Sequence, residues 1–394
     1  DESTIDPKTL KETYMISRML NRRRFLGYGL GVGGAVLTGG LASNLTGCQK
    51  ASETTTSAAA SAPTASQGGK VVNVYNWTEY ISDQVLKDFT AETGIDVIYS
   101  TFDSNEAMYA KLKLMNGSGE YDVAFPGTDF VDKMRKEGML EPLDHAKLTN
   151  FGNLGNTFIN APFDPENKFS IPYLWGSSGI AVNTKRIAKA SLSSWNDLWE
   201  PEYQGRVMLM NDIRDVFTMS LLTLGYNGST KNPEAIKQAY EKLTKLMPNV
   251  RTFNSDAPRM PFMEGETYLG LAWNGEVIMA QDQGMPELDF VYPKEGAIMW
   301  MDNMVIPKNA KNNDNAHKFI DFILRPKYAA MISEEIGYGS PNEAAKKEMP
   351  PELANNPIVY PPADLLKHAM FREDVGDEIM ALYQQYWDRL KVDM

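Results

Sequence analysis

The chain reads as an α/β protein of two lobes, with helices laid over mainly parallel sheets, and three observations lead there. From Val71 onward, β-rich runs alternate with amphipathic segments, as they do where helices cover parallel strands. The 394-residue chain, even without an expected leader over residues 1–47, is longer than one hydrophobic core usually serves. Aromatic residues and carboxylates gather where several of the strands end, which is where open α/β sheets place a ligand crevice.

The leader is the most specific feature of the first 70 residues. Asn21-Arg22-Arg23-Arg24-Phe25-Leu26 precedes a Gly-rich apolar stretch that closes on Leu45-Thr46-Gly47-Cys48. This pattern predicts a twin-arginine export signal ending in a lipobox, cleaved before Cys48 and acylated on that thiol. A transmembrane span is disfavoured, because Gly27, Gly29, Gly31, Gly33 and Gly34 leave the stretch weakly apolar. Asp1–Tyr14 lies upstream of where such signals usually begin, so Met15 or Met19 is the expected start. Cys48 is the one cysteine, and its acylation leaves no thiol for a disulfide, a metal or a nucleophile. The expected location is the periplasm or cell envelope, as a membrane-anchored lipoprotein. Gln49 to Gly69 is almost all Ala, Ser, Thr, Gln, Gly and Pro, so residues 48–70 read as a flexible tether that cannot bury a core. The formal net charge is −12, and the leader holds more Lys/Arg than Asp/Glu, so the globular part is more acidic still. That balance argues against nucleic acid and anionic lipid as partners and leans toward a cationic ligand.

Element by element, Val71–Tyr75 is a strand and Ser82–Thr93 an amphipathic helix stopped by Gly94. Ile95–Ser100 is a second strand, Asn105–Met115 a helix stopped at Asn116-Gly117, and Tyr121–Phe125 a third strand. The pattern resumes with a strand at Val207–Met210 and helices at Val216–Leu224 and Pro233–Leu246. Strands at Tyr268–Trp273 and Ile298–Ile306 precede helices at Asn315–Leu324, Lys327–Ile336 and Val375–Leu390.

Catalytic signatures are missing. His145, His317 and His368 are scattered and show no metal-ligand spacing. Gly29-x-Gly31-x-x-Gly34 matches a dinucleotide fingerprint but lies inside the leader with no strand before it. No cofactor and no metal are expected. What the sequence does offer is aromatic residues paired with acids. Trp77 and Tyr80 follow the first strand in Asn76-Trp77-Thr78-Glu79-Tyr80, Trp273 ends a strand, and Tyr338 follows a helix ending at Gly337. Trp300 and Asp302, two apart in a strand, share one face. Asp212 and Asp215 stand one helical turn apart at a helix start. Aromatic walls with isolated carboxylates suit ammonium groups joined by methylenes, each ring–cation contact contributing about 0.5–2 kcal/mol. Blander readings stand beside this one: Trp273 and Trp300 as core aromatics, Asp212 as an N-cap with Asp215 as a first-turn acid. Asp302 has fewer such excuses, since a buried acid in an apolar strand must find a cation or donors.

These residues, in this order, resemble the spermidine/putrescine-binding proteins of bacterial polyamine importers. The likeness is carried by Val74-Tyr75-Asn76-Trp77-Thr78-Glu79-Tyr80-Ile81, Val131-Asp132-Lys133-Met134-Arg135-Lys136-Glu137-Gly138-Met139 and Ser170-Ile171-Pro172-Tyr173-Leu174-Trp175-Gly176. It continues through Met247-Pro248-Asn249-Val250, Phe253-Asn254-Ser255-Asp256, Trp273-Asn274-Gly275, Pro293-Lys294-Glu295-Gly296 and Trp300-Met301-Asp302. The resemblance implies a two-lobe periplasmic-binding-protein fold of the type II kind with its ligand cleft between the lobes. It implies lobe 1 at residues 71–177 plus 303–347 and lobe 2 at 181–299 plus 352–394. The family's ligand-binding positions fall on Trp77, Thr78, Glu79, Tyr80, Asp212, Asp215, Trp273, Trp300, Asp302 and Tyr338, with the three aspartates as ammonium partners. The implied partners are a polyamine, an ABC permease with its ATPase, and the membrane through the lipid anchor.

Two positions depart from the family pattern. Asp129 stands where an aromatic is usual, and Arg372 where an amide side chain is usual. Both belong to the expected site; an Asp129–Arg372 ion pair closing one end of the cleft is one expectation, and Arg372 turned to solvent or paired with Glu373 or Asp374 is the other. Asp215 stands where the family commonly has Glu, a methylene longer. A polyamine-sensing subunit of a receptor is the alternative role, and a hydrolase using Asp212 and Asp215 a remoter one. Against the hydrolase, residues one helical turn apart point in similar directions rather than flanking a bond.

Overall fold

The computed structural model describes residues 70–115 and 118–392. The expected leader with Cys48, the tether through Gly69 and the Asn116-Gly117 helix stop lie outside the described residues.

The first alternation folds as its periodicity predicts. β1 (Val71–Trp77) and β2 (Asp96–Phe102) run parallel, joined by α1 (Asp83–Thr93). Ser82 caps α1 by accepting from the Gln84 N–H. Helix α2 (Asn105–Leu114) leads to β3 (Val123–Ala124), parallel to β1 on its other side, and α3 (Thr128–Lys136) follows. A long strand that the periodicity does not announce comes next, β4 (Ser170–Asn183), buried at all 14 positions. Then come β5 (Val207–Leu209), α4 (Ile213–Thr223), α5 (Pro233–Leu246), β6 (Val250–Phe253) and the single turn α6 (Met260–Met263). They are followed by β7 (Leu269–Trp273), α7 (Asn274–Asp282), β8 (Leu288–Val291), β9 (Ile298–Val305), α8 (Asn313–Ile323) and α9 (Pro326–Ile336). The short α10 (Glu343–Lys346) and α11 (Pro351–Ala354), the strand β10 (Met370–Phe371) and α12 (Asp377–Val392) close the chain. Helix α4 begins a turn earlier than its apolar pattern suggests, because Asp212 caps it.

One 10-stranded sheet runs β2-β1-β3-β9-β4-β7-β5-β6, with β10 beside β9 and β8 beside β4. The expectation of mainly parallel sheets needs correction. The strand pairs β1–β2, β1–β3, β5–β6 and β5–β7 are parallel, but β9 and β4 meet each other and their other path neighbours antiparallel. The reason is the length of β4. Its first half pairs with β9 from Ser170–Val305 to Ser178–Ile298, and beyond Ser178 it continues along β7 and β8. The same strand thus serves both lobes. On one side Val72, Val85, Phe89, Ile171, Phe319 and Ile323 pack together. On the other, Ile180, Trp195, Phe217, Leu243, Leu269 and Tyr383 do. Burying such side chains contributes about 1.5–3 kcal/mol each. Two apolar bodies hung on shared strands leave a crevice where β1 and β7 end.

Candidate functional site

Trp77 and Trp273, the last residues of β1 and β7, face one cleft of about 720 Å³. Thr78, Glu79, Tyr80, Asp212, Trp300, Asp302, Tyr338 and Arg372 line it as well; Asp129 and Asp215 do not. The aromatic side chains are held from behind. Trp77 Nε1 donates to the Phe125 carbonyl at 2.9 Å, and Trp300 meets Tyr338 edge-on with ring centres 4.9 Å apart. Glycine makes this packing possible at two points. A Cβ on Gly176 would lie 2.5 Å from the Trp300 ring, and one on Gly275 would lie 2.2 Å from the Tyr338 ring.

Asp302 is buried in the cleft wall. Its Oδ2 accepts from the Tyr80 hydroxyl at 2.8 Å, and among the described residues no cation lies within ion-pair distance. Burial pushes its carboxyl up to about 7, opposed by the Tyr80 hydrogen bond and the Arg372 charge. Tyr80 is fixed in turn, its carbonyl accepting from the Tyr173 hydroxyl at 2.6 Å. Period-2 alternation in β9 puts Trp300 and Asp302 into the same cleft, as their spacing predicts.

The second acidic group, Asp212 with Asp215, is already occupied by a protein cation. Asp212 caps α4, its Oδ1 accepting from the Asp215 N–H at 2.9 Å, so the bland reading of this residue holds in part. Arg372 Nη1 lies 3.0 and 3.2 Å from the two Asp212 oxygens and 2.9 Å from Asp215 Oδ1. Ser178 Oγ donates to the remaining Asp215 oxygen. Burial lifts the Asp215 carboxyl to about 6, with Arg372 pulling it down. The expected Asp129–Arg372 ion pair is not formed. β10 lies parallel to the start of β9 and delivers the next residue, Arg372, to the capped start of α4. Asp129 is buried in the first turn of α3 with Oδ1 accepting from the Phe130 N–H at 3.2 Å, and it acts on Arg372 only through its charge.

Other residues in the cleft and behind it escape sequence reasoning. Arg259 is buried, its Nη2 2.7 Å from Glu79 Oε2 and its Nη1 3.0 Å from Glu276 Oε2. Glu79 itself holds φ at 51°, a left-handed conformation costing a non-glycine residue about 1–2 kcal/mol, and this ion pair helps to hold it. Asp103, Ser255 and Asp256 also line the cleft. Glu106, in the first turn of α2, borders the cleft mouth. The block Phe253-Asn254-Ser255-Asp256 was visible in the sequence, and Glu276 lies three residues past Trp273. Arg259 gives no local signal.

The crevice at strand ends and the long strand shared by two apolar bodies define a two-lobe fold with its cleft between them. The family model for bacterial extracellular solute-binding proteins matches residues 84–361, and the chain belongs to that family. It is a binding protein, not an enzyme, so the hydrolase reading of Asp212 and Asp215 falls; both serve one guanidinium. Within the family, the chain is 51% identical over 317 residues to the spermidine/putrescine-binding periplasmic protein of Escherichia coli, covering 80% of this chain and 90% of that one. It is 45% identical to spermidine/putrescine-binding periplasmic protein 1 of Haemophilus influenzae, over 91% of this chain and 98% of that one. Among solved structures, the TpPotD lipoprotein of Treponema pallidum superposes with a TM-score of 0.72 at 30% identity, covering 82% of this chain and 99% of that one.

Proposed function

We propose that this chain is the extracytoplasmic, lipid-anchored polyamine-binding component of an ABC importer, closing over spermidine or putrescine and delivering it to a membrane permease and its ATPase. The observation that carries the reading is Asp302. It is a buried carboxylate in an aromatic-walled cleft, with a phenol for company and no cation among the described residues. An alkylammonium supplies the missing charge, and Trp77, Trp273, Trp300 and Tyr338 cover its methylenes. The relatives' names supply the ligand class.

In this reading lobe 1 comprises 71–177 plus 303–347 and lobe 2 comprises 181–299 plus 352–394. The division is supported by β4, whose Ile171 packs in one apolar body and whose Ile180 packs in the other. Glu79 in the first lobe reaches Arg259 in the second, which favours the closed form. Anchoring through Cys48 rests on the lipobox and is supported by a lipoprotein relative. The test is calorimetry of the protein, stripped of bound ligand by unfolding and refolding, against a panel of polyamines, amino acids and sugars. Saturable binding of polyamines alone is the expected result; binding of an amino acid or sugar in their place contradicts it.

A further inference from the structure

The cleft brings its own cations. Of the six carboxylates that line it, Glu79 and Glu276 are ion-paired with Arg259 and Asp212 with Arg372. Asp103 and Asp256 are exposed. Only Asp302 is a buried carboxylate that lines the cleft without an ionic partner among the described residues.

The Arg372 assembly is built rather than incidental. Its side chain is 11% exposed. Both acids that receive it are fixed beforehand, Asp212 by capping α4 and Asp215 by the Ser178 hydroxyl. A single nitrogen, Nη1, meets both anchored carboxylates, so the positive charge at this point is what the pair of acids holds. An incoming ammonium at this end must either displace Arg372, leaving a buried guanidinium unpaired, or lie against it as a like charge.

We infer that Arg372 takes the place of one ligand ammonium at the Asp212–Asp215 end, so that the cleft selects a diamine over a triamine. This rests on the polyamine reading above and names the member of that class. A diamine places one ammonium on Asp302 and turns the other toward the exposed acids, Asp103 and Asp256. A triamine brings a third charge against the Arg372 guanidinium, which already answers one of the two charges of Asp212 and Asp215.

The test is calorimetry of the ligand-stripped protein with putrescine and with spermidine, on the unaltered chain, Arg372→Gln and Arg372→Lys. The unaltered chain is expected to bind putrescine about tenfold or more tighter than spermidine. Arg372→Gln, which frees Asp212 and Asp215, should shift that ratio toward spermidine by about tenfold, while Arg372→Lys, which keeps the charge, holds it. Tighter binding of spermidine by the unaltered chain overturns the inference, and this arm depends on no variant folding. So does a folded Arg372→Gln protein whose ratio moves by less than about threefold. Either of those outcomes leaves the polyamine reading standing, whereas failure of the unaltered chain to bind any polyamine overturns both.

Discussion

The two acidic ends of the cleft differ in what answers their charge. At one end Asp302 meets the Tyr80 hydroxyl and no cation among the described residues. At the other, Asp212 and Asp215 share the guanidinium of Arg372. Burial raises both Asp302 and Asp215 above the usual carboxylate range, Asp302 to about 7 and Asp215 to about 6. In one case the field of a partner opposes that rise, and in the other mainly a hydrogen bond does. A carboxylate in a cleft is therefore not a ligand contact by virtue of its type. What marks Asp302 as the unfinished position is the missing partner.

The comparison breaks most visibly in the stability of the ligand-free protein. A carboxyl whose folded pKa is raised holds a proton that the unfolded chain has already lost. Its stabilising contribution is complete below the unfolded value near 4 and is lost as pH rises to the folded value. For Asp302 the loss amounts to as much as about 4 kcal/mol between pH 4 and 7. Asp302→Asn should therefore raise the melting temperature of the stripped protein at about pH 8 and flatten its pH dependence. Asp215→Asn, at a carboxyl raised less far, to about 6, because Arg372 opposes the rise, should flatten that dependence less. Denaturant titrations of both variants at two pH values decide it, and an equal or larger flattening by Asp215→Asn would erase the distinction drawn between the two acids.

Ligand affinity follows. Asp302→Asn should weaken polyamine binding by about 2–4 kcal/mol, since a buried ammonium loses its ionic partner. A change in Kd under about tenfold removes Asp302 from the site. The smallest effect concerns Asp129. A double-mutant cycle on stability should give a coupling above about 1 kcal/mol for Arg372 with Asp215 and below about 0.5 kcal/mol for Arg372 with Asp129. The reverse order would restore the ion pair expected from sequence.

Much of the cleft was legible because its signals are local. Trp77 to Tyr80 follow a strand of clear β character, and Trp300 with Asp302 reads from a period of two. The strand that joins the lobes was not. β4 is buried throughout, so it shows no alternation, and Pro172 with Gly176-Ser177-Ser178-Gly179 looks like a loop. The two arginines were illegible for another reason. Arg259 and Glu79 are 180 residues apart, and Arg372 and Asp212 are 160 apart. Nothing in either neighbourhood says which acid a distant cation will meet. Family departure drew attention to Arg372, but its partner is set by how β10 docks on β9.

The account turns on a ligand cation completing Asp302, and the proton it displaces is the most direct reporter. At about pH 6 the stripped protein holds Asp302 largely protonated, while an ammonium on that carboxylate requires it ionised. Calorimetric titration with putrescine at that pH, in two buffers of different ionisation enthalpy, should show proton release approaching one per ligand, fading above about pH 8. Asp302→Asn should remove most of that release. Binding at about pH 6 with no proton released, and the same affinity at pH 8, would contradict the assignment of the ligand's ammonium to Asp302.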